Sequence, residues 1–375
     1  MDNRPLIEFT TSPTFWNSSL NVTNYDYEPF ALRYGLEATI ALSVAYIFVF
    51  IAGIIGNVAI FLTVRKSADM RRLTTHFIIN LAAADLLVLI FCLPFTLAAN
   101  IFPAWIFGAV FCKLVSYLQG VSVSASVNAM MFVAVDRYMA ISSPLVPKKS
   151  KRYYLKAVLA VWITALTINL PWLYVFELET VENGSNIEIC TEIWPSPTHE
   201  KLFFIIANVL MFYLGPLVVI SICYILIWQS VRRRNVPGEY NDQRSVINCV
   251  NKSRLKVAKM VFVIILTFAV SWFPLYCVFV IVKFGDEFLL NENIQSTIYV
   301  IVPIAQWMGA ANSCINPFLF VHMDTRFRMR LTKMIRRYFL LRCFKNEEEI
   351  ILQNFSGKAY KSRDHLHKDL NESRA

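Results

Sequence analysis

Few groups in this chain can do acid–base, redox or metal chemistry, and the most unusual of them is Asp85. It lies in NLAAADLLVLIF, a run otherwise apolar enough to be buried in a membrane. A carboxylate at the centre of a spanning helix costs about 2.5–3.5 kcal/mol even on a lenient insertion scale, so something must compensate it. Asn57, Ser126, Asn312 and Asn316 are further polar residues in the middle of apolar runs. If they converge, Asp85 is either a structural hydrogen-bond hub or a site for an ion or proton. NSCINPFLF, at 312–320, adds a second oddity. Pro317 removes a backbone donor from a buried helix, and Asn316 needs partners where water is absent. Asp136-Arg137-Tyr138 puts a charge pair at the end of the third apolar run. No catalytic constellation accompanies these groups. The five histidines, His76, His199, His322, His365 and His367, come with no nucleophile or metal set, and no cysteines have zinc-ligand spacing. The chemistry to be explained is recognition, not catalysis.

The elements that must position these residues are membrane spans. The 375 residues are 56% hydrophobic and only 17% charged, against about 45–50% and about 25% in soluble domains. Seven apolar blocks are long enough to span, near residues 38–64, 74–99, 109–141, 154–176, 202–230, 256–283 and 294–321. No internal repeat is evident, which disfavours an inverted-repeat transporter. Arg65, Lys66, Arg71, Arg72, Lys148, Lys149, Lys151, Arg152, Arg232, Arg233, Arg234, Arg244, Lys252 and Arg254 fall in alternate connections, and Arg326, Arg328 and Arg330 open the tail. The positive-inside rule makes those segments cytoplasmic, with the amino terminus outside and the carboxyl terminus inside. The net charge of +10 is therefore mostly a topology signal, and nucleic acid is not an expected partner.

The outer side is rich in carboxylates: Glu177, Glu179, Glu182, Glu188, Glu192 and Glu200 fall between the fourth and fifth spans. Asn17, Asn21 and Asn183 are glycosylation sequons on that side. The first thirty residues lack a basic start and an apolar core, so no cleavable signal peptide is expected. The expected organisation is an outer tail at 1–37, a helical bundle at 38–321, an amphipathic membrane-surface helix at 322–345 and a cytoplasmic tail at 346–375. Phe327, Leu331, Met334, Ile335 and Phe339 form one face of that helix, with Arg and Lys around it. Cys343 beyond it is a palmitoylation candidate, with an unmodified cysteine the equal alternative.

Taken in order, the motifs resemble the rhodopsin-like (class A) G-protein-coupled receptors. They are Gly56-Asn57, LAAAD ending at Asp85, Cys112, Asp136-Arg137-Tyr138, Trp162, Pro216 with Tyr224, FAVSWFP from Phe268 to Pro274, and NSCINPFLF. The resemblance covers about residues 38–343 and implies an all-α seven-helix plasma-membrane receptor. It pairs Cys112 with Cys190 as a disulfide. It makes Asp85, with Asn57, Ser126, Asn312 and Asn316, an allosteric sodium site, the one cofactor it implies. Trp272 above Pro274 becomes a rotamer-sensitive residue, with Pro216, Val127 and Phe268 as the connector beneath it. Arg137 contacts the G protein, and Asn316-Pro317 lets the inner end of the seventh helix rearrange. Heterotrimeric G protein, arrestin, receptor kinases and membrane lipid are the implied partners. Two departures stand out. Phe320 replaces the usual Tyr, which removes a water-mediated link to Tyr224. Arg254 stands where some relatives carry an acid, so Asp136 is left as the expected partner of Arg137.

The resemblance also narrows the ligand. Amine receptors carry Asp seven residues after the third-span Cys, where this chain has Gln119. Opsins carry Lys where it has Ala310. Gln119 resembles neuropeptide receptors of the RFamide, neuropeptide Y, orexin and thyrotropin-releasing-hormone types. Thr96, Gln119, Tyr276, Phe279 and Gln306 become candidate pocket residues. Glu188 and Glu192, on either side of Cys190, would be held over the mouth. The acidic loop favours a cationic peptide, and the neutral amides suit an amidated carboxyl terminus. A non-peptide ligand, or a scavenging or constitutively active receptor, is the alternative.

Overall fold

The computed structural model describes residues 32–65, 73–142, 150–180, 187–234, 242–285, 291–323 and 327–337. Among them, seven helices are long and apolar enough to cross a membrane: Leu36–Arg65, His76–Ile101, Gly108–Met139, Arg152–Val175, Pro197–Ser230, Phe262–Phe284 and Asn293–His322. These are the first to seventh spans below. The all-α seven-helix reading is borne out, with limits within a turn or two of those expected.

The spans are helical because lipid cannot hydrogen-bond a backbone, so each peptide group has to be paired internally. The first span shows the consequence on its surface. Leu36, Ile40, Val44, Phe48, Ile51, Ile55 and Leu62 are exposed, whereas Thr39, Tyr46 and Asn57 are buried. A continuous exposed aliphatic face with polar groups on the inside calls for hydrocarbon, not water, as the surrounding medium.

Proline interrupts the regular backbone pairing in several spans. The second is interrupted at Cys92, between helices Leu73–Phe91 and Leu93–Ile101, with Pro94 in the first turn of the latter. In the fifth, a π-helical stretch, Phe204–Leu214, precedes Pro216, and Gly215 N–H bonds back to Leu210 O. The seventh helix, Glu292–Met323, contains Pro303 and Pro317. Each of these two prolines leaves the carbonyl four residues earlier without its helical donor. Both carbonyls are taken up by the first span or the residues just before it. Asn57 Nδ2 donates to Ser313 O at 2.9 Å, and Tyr34 Oη donates to Tyr299 O at 3.1 Å. Gly56 permits the close approach, since a Cβ there would lie 2.7 Å from Pro317 Cβ.

Replacing Asn57 with Ala therefore strands a buried carbonyl. Hydrogen bonds between membrane helices average only about 0.6 kcal/mol, but leaving a buried acceptor unpaired costs about 1–3 kcal/mol. Asn57→Ala is expected to lower the thermal unfolding midpoint of the detergent-solubilised protein by several degrees. An unchanged midpoint would remove this role.

Between the fourth and fifth spans the chain forms an antiparallel hairpin, β1 (Phe176–Thr180) with β2 (Glu188–Glu192), in register Leu178↔Cys190. Cys190 is disulfide-bonded to Cys112, near the start of the third span, with a Cα–Cα distance of 5.6 Å. Trp105 N–H bonds to Glu188 O at 2.8 Å and makes a second tether. Cys92, Trp105, Cys112, Val115, Val175, Phe176 and Cys190 form the apolar cluster beneath the hairpin.

The chain divides into two units, Met1–Asp324 and Thr325–Ala375. In the second, the described helix covers 327–337, whereas the sequence suggested 322–345. Residue 322 belongs instead to the seventh helix, which continues to Met323. Arg328, Lys333, Arg336 and Arg337 surround a surface hollow on the later helix. Asn17, Asn21, Asn183, Cys343 and residues 346–375 lie outside the described residues, as does the side chain of Arg254.

Candidate functional site

Under the hairpin, the ends of the spans enclose a cavity of about 180 Å³. Its wall includes Thr96, Gln119, Glu192, Phe279 and Gln306, all singled out by sequence. Gln119 makes no hydrogen bond among the described residues, so its amide is available to a ligand. Gln306 is oriented from behind: Asn100 Nδ2 donates to its Oε1 at 2.8 Å. Asn100 also donates to Tyr46 Oη at 3.2 Å, and Tyr46 in turn donates to Pro303 O. Gln306 thus keeps its amino group for the cavity. Thr96 spends its hydroxyl on Cys92 O, in its own helix.

Two of the expected pocket residues lie outside this wall. Tyr276 is not part of the wall. Its ring stacks on Tyr213 at 4.3 Å and its hydroxyl donates to Asn208 O, so it braces a wall residue from behind. Glu188 is exposed at the far end of β2, opposite Thr180, and is not part of the wall either.

The acidic loop also differs from its sequence reading. Glu192 Oε2 accepts from Trp194 Nε1 at 2.8 Å and from Lys283 Nζ at 3.2 Å. Lys283 pairs with Glu200 as well. Glu177 lies 3.6 Å from Lys113. Lysines at the span ends therefore offset part of the loop's charge. Glu200 is not a loop residue at all. It sits in the first turn of helix Pro197–Phe203, where Ser196 caps the end by accepting from His199 N–H. Ser196-Pro197 was the available signal, a capping residue followed by proline at the first helical position.

Deeper in the bundle, Asn316 Nδ2 donates to Asp85 Oδ2 at 2.9 Å, and both residues are buried. Asn57 reaches Ser313 O rather than the carboxylate, and neither Ser126 nor Asn312 bonds to it among the described residues. Asn57, Asn312 and Asn316 each keep a buried side-chain oxygen without a donor. A contact the sequence reading missed joins the second and fourth spans: Trp162 Nε1 donates to Asn80 Oδ1 at 2.6 Å.

Residues 56–320 match the family described as 7 transmembrane receptor (rhodopsin family). The chain belongs to the rhodopsin family of seven-transmembrane receptors. It is 32% identical over 326 residues to the Neuropeptide FF receptor 2 of Mus musculus, an alignment covering 84% of this chain and 76% of that receptor. The Neuropeptide FF receptor 2 of Rattus norvegicus is 31% identical over 324 residues, with the same shares. As a member of this family the chain is a multi-pass plasma-membrane receptor that couples to G proteins, and not an enzyme.

In this rhodopsin-family receptor the indole of Trp272 packs against Gly309, where a Cβ would lie 3.5 Å from its ring. The Phe268 ring is 6.0 Å away, and Val127 and Phe268 are buried. Pro216 is buried in the fifth span, and Pro274 lies inside the sixth helix. At the end away from the hairpin, Arg137 pairs with Asp136, and Tyr154 Oη donates to the other oxygen of Asp136 at 2.7 Å. Tyr154 was not legible as a partner, because it stands on the fourth span. Tyr138 is half-buried beside them. The Tyr224 ring lies 5.0 Å from Phe262. Phe320 is buried, in a place where a hydroxyl would need a partner.

Proposed function

We propose that this receptor is activated by an extracellular neuropeptide with a cationic residue and an amidated carboxyl terminus. The observation that carries this reading is the cavity wall, which the Gln119 and Gln306 side chains share with Glu192 and Glu200. An amidated terminus is neutral and matches two amides, while a basic side chain matches carboxylates. The similarity to receptors named for neuropeptide FF agrees with it.

The amino terminus is outside and the carboxyl terminus inside, which puts the hairpin on the ligand side and the basic connections on the G-protein side. Ligand binding acts through Trp272, Phe268, Val127 and Pro216, and through the Pro274 and Pro317 kinks. It releases Arg137 from Asp136 to contact the G protein. Arrestin and receptor kinases act on the tail. Asn17, Asn21 and Asn183 carry glycans, and palmitoylated Cys343 holds the basic helix against lipid. Asp85 and the donor-free oxygens of Asn57, Asn312 and Asn316 suit a hard cation such as sodium.

The test is a panel of amidated neuropeptides applied to cells carrying calcium, cAMP and arrestin reporters. A saturable response to one peptide, lost with its free-acid form, is the expected result. Silence across the panel with confirmed surface expression would overturn the peptide reading. In the same cells, replacing sodium with a large organic cation is expected to raise agonist affinity, and Asp85→Asn to abolish that effect. An equal sodium effect in Asp85→Asn would remove the ion site.

A further inference from the structure

Lys283 stands in the last turn of the sixth span, yet its side chain is only 4% exposed. A lysine at the end of a spanning helix ordinarily lays its stem on apolar surface and extends its ammonium into water. Here the chain turns inward. The ammonium bonds Glu192 Oε2 at 3.2 Å and Glu200 Oε1, and lies 5.8 Å from the centre of the Phe204 ring. Lys283, Glu192, Glu200 and Phe204 all line the cavity. The two carboxylates are themselves largely covered, at 7% and 18% exposure. An exposed surface pair would contribute little. A buried one removes three charges from water and holds only when they offset one another.

The partners come from three separate elements. Glu192 ends β2 and is oriented by Trp194. Glu200 opens the fifth span, and Lys283 closes the sixth. Two carboxylates thus converge on one ammonium, on the wall of the cavity that receives the ligand.

We propose that Lys283 is a built-in counter-ion that sets the charge selectivity of the cavity. It occupies the carboxylates that would otherwise take a ligand's guanidinium or ammonium, so an entering cation must share them with Lys283 or displace it. The proposal deepens the peptide reading and rests on it for the natural ligand, but it concerns the charge of the wall itself. Lys283→Gln makes the wall one unit more negative. Glu200→Gln makes it one unit more positive. A merely structural ion pair has no reason to move cationic and neutral ligands in different ways.

The test uses purified full-length receptor in detergent and two small probes, N-acetyl-arginine amide and its neutral isostere N-acetyl-citrulline amide. Binding is read from the shift of the thermal unfolding midpoint with probe concentration. The half-saturating concentration of the arginine probe is expected to fall about tenfold or more in Lys283→Gln and to rise about tenfold or more in Glu200→Gln. The citrulline probe is expected to move in neither. Lys283→Arg keeps the charge and should match the wild type. If Lys283→Gln does not fold, Glu200→Gln and Lys283→Arg still decide the matter. The proposal is overturned if both probes shift together, if the arginine probe is indifferent to the substitutions, or if it binds none of the receptors. A silent peptide panel beside an intact charge dependence would remove the peptide reading and leave this one standing.

Discussion

Cys190→Ser is expected to weaken peptide binding at least a hundredfold in receptor that still reaches the cell surface. The disulfide closes a separation of 78 residues, and a loop of that size corresponds to about 4–5 kcal/mol of closure entropy in the unfolded chain. What it holds is the lid of the ligand cavity. Cys190 and Glu192 both line the wall from β2. Without the bond, β2 keeps its ladder to β1 and the Trp105 tether, but binding must then order the hairpin against the third span. Each 1.4 kcal/mol of that ordering costs tenfold in affinity, so about 2.8 kcal/mol of ordering reaches a hundredfold. The measurement is saturation binding of labelled peptide, normalised to a surface tag at the amino terminus. Wild-type affinity in surface-expressed Cys190→Ser would show that the hairpin stays in place unaided.

The second large effect is at the opposite end. Arg137→Ala is expected to remove most ligand-stimulated nucleotide exchange while leaving peptide binding and surface level intact. Arg137 is held by Asp136, and Asp136 is held in turn by Tyr154 on a neighbouring span. The Tyr154 hydrogen bond ends on a charged group, a class worth about 1.5–3 kcal/mol. Taking it away frees Asp136 to move and loosens its hold on Arg137. Tyr154→Phe is therefore expected to raise ligand-independent exchange by about tenfold, the shift that 1.4 kcal/mol makes in a two-state equilibrium. Nucleotide exchange on purified G protein measures both variants. Full signalling from Arg137→Ala would remove its role, and an unchanged basal rate in Tyr154→Phe would show that Asp136 needs no second anchor.

Much of the bundle was legible because hydrocarbon imposes a simple rule: about twenty apolar residues per crossing, helical throughout. The interrupted backbone pairing at Pro216, Pro274 and Pro317 was foreseeable, since proline lacks a backbone donor. The hairpin was not foreseen, although FELET followed by Asn183-Gly184 has the composition of a strand and a turn. Its short strands were hidden behind the reading of six glutamates as an acidic loop that favours a cationic peptide.

By itself the sequence determined the seven crossings, their basic and acidic sides, the order of the receptor motifs and the absence of an acid at Gln119. Each of these depends on composition or on spacing along one segment. Only the tertiary structure decided who pairs with whom. Ser313 O finds Asn57, Asp136 finds Tyr154, and Glu192 and Glu200 meet Lys283 from 91 and 83 residues away. A buried polar group must be paired, but the chain does not say locally which of many distant donors will reach it. That choice follows from how the helices rotate and pack. It turned an acidic loop into a wall whose charge is set by one inward-facing lysine.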